Sequence, residues 1–78
     1  MRKLKLIWDF RGSDAEKTAK HHLVHLKEYA IKNDLDIDVF GSEDLTQFHS
    51  IAFLVVNENE MIPIRDALKP NRGQLFQP

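Results

Sequence analysis

Residues 3–11 alternate between two kinds of side chain. Leu4, Leu6, Trp8 and Phe10 fall on one side, and Lys3, Lys5, Ile7, Asp9 and Arg11 on the other. A period of two marks a strand with one face in a core. Gly12-Ser13-Asp14 breaks it, and from Asp14 to about Lys32 nothing interrupts a helix with the apolar stripe Ala15, Ala19, Leu23, Leu26 and Ala30. Ser13 has capping-box spacing to Glu16, and Asn33-Asp34 suits a left-handed exit. Asp36–Phe40 alternates again and predicts a second strand. Residues 42–49 read as a polar connection with room for a turn of helix at Glu43–Phe48. Ser50–Val56 is apolar on both sides and β-branched, the pattern of a strand buried on two faces. After an Asn57-Glu58-Asn59 cap, residues 60–68 set Met61, Ile64 and Leu68 on one helical face, with Pro63 in the first turn. Lys69-Pro70-Asn71 ends that helix, Gly73 marks a turn, and Gln74–Gln77 forms a short last strand.

The order strand, helix, strand, strand, helix, short strand predicts an α+β fold of the ferredoxin-like βαββα(β) kind. Its antiparallel sheet has both helices on one face and strands 1 and 3 in the middle. The uncovered face then carries Ile7, Phe40 and one of two apolar sets from strand 3, Ile51/Phe53/Val55 or Ala52/Leu54/Val56. Such a face is too apolar to leave in water, and a second copy of the chain is the expected cover.

The opening K-L-I-W-D-F-R-G, the long helix directly after it, the I-A-F-L-V-V strand and the short second helix resemble the dimeric α+β barrel group of small ferredoxin-like domains. The resemblance is architectural and spans most of the chain. It implies a homodimer packed sheet against sheet. Because members range from cofactor-independent monooxygenases and isomerases to haem-binding enzymes, it implies no particular chemistry and carries over no catalytic residue.

Seventy-eight residues bound the chain to one domain, 1–78, with a thin core. At 42% hydrophobic and 29% charged, the composition excludes disorder and low-complexity character. Eleven Lys and Arg against twelve acids give a net charge of −1, and the predicted open face lacks the stacking aromatics of an RNA-binding sheet, so nucleic acid is not an expected partner. The absence of cysteine removes disulfides, thiolate metal sites and cysteine nucleophiles. No apolar run approaches the ~20 residues of a membrane span and no basic-then-apolar leader opens the chain, so the expected compartment is the cytoplasm, with no membrane partner. The sequence has no glycine-rich phosphate loop, nucleophile elbow or catalytic-triad signature, and no cofactor is expected.

Chemistry concentrates in two places. In the helix segment A-K-H-H-L-V-H-L-K-E-Y, His21, His25 and Glu28 share one narrow sector, a candidate transition-metal site of two imidazoles and a carboxylate. A second stripe through Thr18, His22, His25 and Tyr29 borders the core, and His22, His25 and Tyr29, with Asp9, are the candidate acid–base groups of an enzyme reading. The plainer alternative is that His22 and Tyr29 are packed residues and Glu28 pairs with Lys32. The other place is a sheet edge expected to gather Arg11, Ser13, His49, Lys69 and Arg72 around the start of the first helix, a candidate anion site with His49 as proton donor. Its alternative is an internal salt-bridge network. Asp9, mid-strand on the open face, is expected to pair with Arg11 or Lys5. Three functions follow: a homodimeric domain binding a small anionic or apolar ligand or a partner without catalysis, a cofactor-independent enzyme, and a metal binder.

Overall fold

The computed structural model describes residues 2–77; the ends of the expected domain, Met1 and Pro78, lie outside the described residues. Strand β1 covers Lys3–Arg11, helix α1 Ala15–Lys32, strand β2 Phe40–Thr46 and strand β3 His49–Asn57. A 3₁₀ turn at Glu58–Glu60 leads into helix α2, Met61–Leu68, and strand β4 covers Arg72–Phe76. The four strands form one antiparallel sheet in the order β2-β3-β1-β4, which puts β1 and β3 in the middle.

Pairing settles which side of each strand faces the helices. Leu6 stands opposite Leu54 and Trp8 opposite Ala52, and these join Val56, Leu26 of α1 and Ile64 of α2 in one buried cluster. Leu4, Phe10, Leu23, Tyr29, Met61 and Leu68 pack around it, so both helices lie on that face. Removing each large side chain of this cluster from water contributes about 1.5–3 kcal/mol. Ala15, Ala19 and Ala30 let α1 approach the sheet closely, and Ala52, 0% exposed, meets it. The Trp8 indole N–H donates to the Leu68 carbonyl at 2.8 Å, occupying one of the free carbonyls at the end of α2. Lys69 follows in a left-handed conformation (φ 49°), its N–H donating to the Arg65 carbonyl at 2.8 Å.

Several expectations change. The residue before α1 is Asp14, not Ser13, and no side chain caps the helix, so the capping box does not form. Asp14 instead contributes its carbonyl, which accepts from the Thr18 N–H (2.9 Å) and the Thr18 hydroxyl (3.0 Å). The second strand starts at Phe40 rather than Asp36 and runs through the segment expected to be a connection; only Gln47 and Phe48 turn between β2 and β3. The polar residues that disguised it, Ser42, Glu43 and Asp44, belong to an edge strand, where charge and polarity are tolerated and discourage further pairing. A register shift between Asp44 and Thr46 leaves Leu45 bulged. The last strand begins at Arg72, so Gly73 pairs with Leu6 inside it instead of making a turn.

The open face also departs from expectation. It carries Ile51, Phe53 and Val55 from β3, paired with Asp9, Ile7 and Lys5. Phe40 is not on it: opposite Leu54, it stands on the helix side, with Lys27 Nζ 4.9 Å from its ring centroid. Nor is the face a bare apolar flank. Ile7, Ile51 and Val55 are only 2%, 4% and 5% exposed in the single chain. The Phe53 ring lies against Gly41, where an added Cβ would meet the ring at 3.0 Å, and Lys5 Nζ caps the ring at 4.2 Å. Long side chains of the chain itself therefore shield much of what a second copy was expected to cover.

Candidate functional site

A hydrogen-bonded polar cluster centred on Asp9 is on that open face. Asp9 leaves the middle of β1 between two strands, and neither Arg11 nor Lys5 is its partner. Arg72, at the start of β4, grips it with a fork: Nε donates to Oδ2 at 3.0 Å and Nη2 to Oδ1 at 3.1 Å. His49 Nε2 donates to Oδ1 at 2.7 Å, and the backbone N–H of Asp9 donates to Asn71 Oδ1 at 2.7 Å. The carboxylate is 17% exposed and the imidazole 15%. The guanidinium of Arg72, foremost among the contacts, holds the Asp9 carboxyl below the usual carboxylate range against the opposing effect of burial, with His49 adding to the lowering. An ionised carboxylate only accepts, so His49 carries its proton on Nε2. The nearby hydroxyls are committed elsewhere: Thr46 Oγ1 accepts from the Phe48 N–H, and Ser50 Oγ donates to Asp44. The cluster is thus internally neutralised and equipped to pin β1, β3 and β4 together rather than to attack a substrate.

The other anion-site residues do not converge on it. Arg11 pairs with His49 along the strands but is exposed, Ser13 is exposed in the turn before α1, and Lys69 is exposed at the end of α2. Asp14 forms no ion pair with Arg11 or Arg72 among the described residues.

The helix histidines divide. His22 points into the protein and packs its ring against Trp8 (centroids 5.3 Å) and Phe10 (5.4 Å). Its Nε2 is buried without a hydrogen-bond partner, and burial, with the nearby His25 and His21, lowers its proton affinity. Tyr29 lies half-buried at the border of the same cluster. His25 is exposed on the outer surface of α1, and Asp9 is across the sheet. The four candidate acid–base groups are therefore not gathered in one cavity. His21 and His25 approach each other, Nε2 to Nε2 at 3.0 Å; Glu28 does not complete a group of three potential metal ligands, and none exists among the described residues.

A feature that sequence reasoning missed lies between α2 and β4. A cleft of about 490 Å³ is lined by Leu4, Leu6, Met61, Pro70 and Leu75 on its apolar side and by Arg2 and Arg65 among its charged residues. Gly73 forms part of the wall: with no side chain on the helix side of β4, it leaves open the space beside Leu6. Leu75, the next residue of β4 on that side, is 44% exposed. Arg2 and Arg65 are held only by exposed pairs, to Glu58 at 3.4 Å and to Asp66 at 3.3 Å, which bind weakly in water. Arg72 reaches the cleft as well, but its guanidinium is engaged by Asp9. The one signal available in the sequence was a glycine inside a strand, a mark of close approach by a ligand or a backbone.

The fold and clefts define an α+β domain with a four-stranded antiparallel sheet; no helix of its described residues is long and apolar enough to cross a membrane. Comparison with family models, curated proteins and solved structures finds no match.

Proposed function

We propose that this chain is a non-catalytic binding domain, compatible with a ferredoxin-like arrangement, and that its ligand is a small amphipathic anion: a carboxylate or phosphate on an apolar body. The observation that carries the reading is the α2–β4 cleft, which combines a volume of about 490 Å³ and an apolar floor with two weakly held guanidinium groups. That volume is within the range of small-molecule sites, about 300–1,000 Å³. Leu4, Leu6, Met61 and Leu75 would bury the apolar body, and Arg2 and Arg65 would exchange exposed partners for the ligand's charge at little cost. Among the described residues the candidate acid–base groups Asp9, His22, His25 and Tyr29 lie apart, which favours binding over catalysis.

The test uses decanoate, titrated calorimetrically into the purified protein and into Gly73→Val. Valine at 73 is compatible with the strand, its Cβ meeting Leu6 Cδ2 at an ordinary 3.4 Å, while its branches fill the cleft. Saturable one-to-one binding that Gly73→Val abolishes is expected, with Arg2→Ala and Arg65→Ala each weakening it by up to about fivefold. Equal binding by the protein and Gly73→Val, or no binding at millimolar decanoate, refutes the reading.

The second reading is a homodimer through the open sheet face. Its support is the half-buried Phe53 at the centre of that face, with a shallow hollow of about 450 Å³ at one end, lined by Lys3, Val39 and Phe76. The shielding of Ile7, Ile51 and Val55 limits the apolar area such a dimer would gain.

A further inference from the structure

His21 and His25 stand one turn apart on the outer surface of α1, both exposed. Side chains at i and i+4 are neighbours on a helix, and here the same atom of each ring, Nε2, turns toward the other until the two lie 3.0 Å apart. The rings are nearly perpendicular, at 78°. One imidazole donates to the other in the metal-free chain. That hydrogen bond also holds the two ring nitrogens at a separation one ion can span once the rings turn outward.

We propose that His21 and His25 form a chelating site for a divalent transition ion of square-planar or octahedral preference, Cu(II) or Ni(II). The separation sets the geometry. With metal–nitrogen bonds of about 2.0–2.1 Å, two nitrogens 3.0 Å apart subtend about 95° at the ion. Tetrahedral Zn(II) needs nitrogens about 3.3 Å apart at the same bond length, whereas cis positions of a square or octahedron need about 90°. The affinity order of first-row divalent ions, which peaks at copper, points the same way.

Binding leaves both rings neutral: the ring that donates from Nε2 carries its proton on Nδ1 instead, and both Nε2 lone pairs turn to the ion. Water fills the remaining positions, since no third His, Asp or Glu joins a ligand group among the described residues. His22, though adjacent in sequence, is excluded as a ligand because its Nε2 is buried against the core. The site is on the helix surface, apart from the α2–β4 cleft, and does not depend on what the cleft binds.

The experiment titrates Cu(II), Ni(II) and Zn(II) separately into the protein, His21→Ala, His25→Ala and Glu28→Gln, at neutral pH. Calorimetry and the nitrogen coupling in the Cu(II) paramagnetic resonance spectrum are the readouts. Because both histidines are exposed, the alanine variants are expected to fold, and circular dichroism checks that they do. One-to-one binding is expected, with two equivalent nitrogens on Cu(II), a weakening of at least about tenfold in each histidine variant, unchanged affinity in Glu28→Gln, and tighter binding of Cu(II) and Ni(II) than of Zn(II). Binding by His21→Ala or His25→Ala as tight as by the unmodified protein overturns the assignment, as does the absence of binding at millimolar metal. A loss in Glu28→Gln equal to that in the histidine variants overturns the two-imidazole geometry.

Discussion

Replacing Asp9 by Asn isolates the charge at the centre of the open face while keeping its shape. The substitution removes the ionic part of the forked contact with Arg72 and of the contact with His49, and leaves a carbonyl oxygen able to accept from one of them. Hydrogen bonds to charged groups contribute about 1.5–3 kcal/mol each when dry. Here the Arg72 side chain is 48% exposed, so water replaces much of what is lost and the sum has to be discounted. A loss of about 1–2 kcal/mol at pH 7 is expected, and in a domain this size each kcal/mol lowers Tm by roughly 4–8 °C. The pH dependence has a definite sign. The folded state holds the Asp9 carboxyl below its unfolded value, so the unfolded chain binds the proton first as pH falls. The contribution of Asp9 is complete above the ordinary carboxylate range, shrinks below about pH 4 and disappears once the folded carboxyl protonates. Urea unfolding followed by Trp8, the only tryptophan and 4% exposed, compares the two proteins at pH 7 and at steps down to pH 2.5. The curves should be separated at neutral pH and converge in acid. A gap of equal size at pH 7 and pH 2.5, or none at pH 7, would refute the ionic account of the cluster.

His22→Leu removes a buried nitrogen without a partner while keeping an apolar filling against Trp8 and Phe10; relief of about 1–3 kcal/mol set against two lost aromatic contacts of about 0.5–1.5 kcal/mol each predicts a stability within about 1 kcal/mol of the unmodified protein by the same urea assay, and a loss of more than about 2 kcal/mol would contradict it. Sedimentation equilibrium at 50 to 500 μM tests the sheet-face dimer: two chains are expected, with Phe53→Lys returning the mass to one, and a mass of one chain for the unmodified protein across that range ends the reading.

Strong local periodicity made most of the architecture legible. The alternation over Lys3–Arg11 gives β1 its full extent, and the unbroken stripe from Ala15 to Ala30 gives α1. Ser50–Val56 was recognisable because a central strand has no polar face to obscure it. β2 was not, because an edge strand has little buried surface, and F-G-S-E-D-L-T takes its conformation from pairing with β3 rather than from its own pattern. The same dependence turned Phe40 to the helix side, since its facing follows from the position opposite Leu54. At the site level, His49 and Arg72 come together on Asp9. Their focus on Asp9 was hidden because Asp9–Arg72 is a contact between the two ends of the described chain, and nearer cations in sequence were the natural choice. The α2–β4 cleft depends on where a short helix stops short of a short strand, and only Gly73 hinted at it.

The strand order has a bearing on how the chain acquires its shape. Of the described elements β1 is made first, yet it is flanked on both sides by strands made much later, with Leu6 meeting Leu54 on one side and Gly73 on the other. During synthesis this central strand therefore waits with both edges unsatisfied until β3 and then β4 emerge. Pairings between such distant segments carry a high contact order and fold more slowly than helical bundles of equal size. In that interval α1 is the first described element able to shelter Leu6 and Trp8, so early docking of this helix on the strand is the natural guard against premature association of nascent chains.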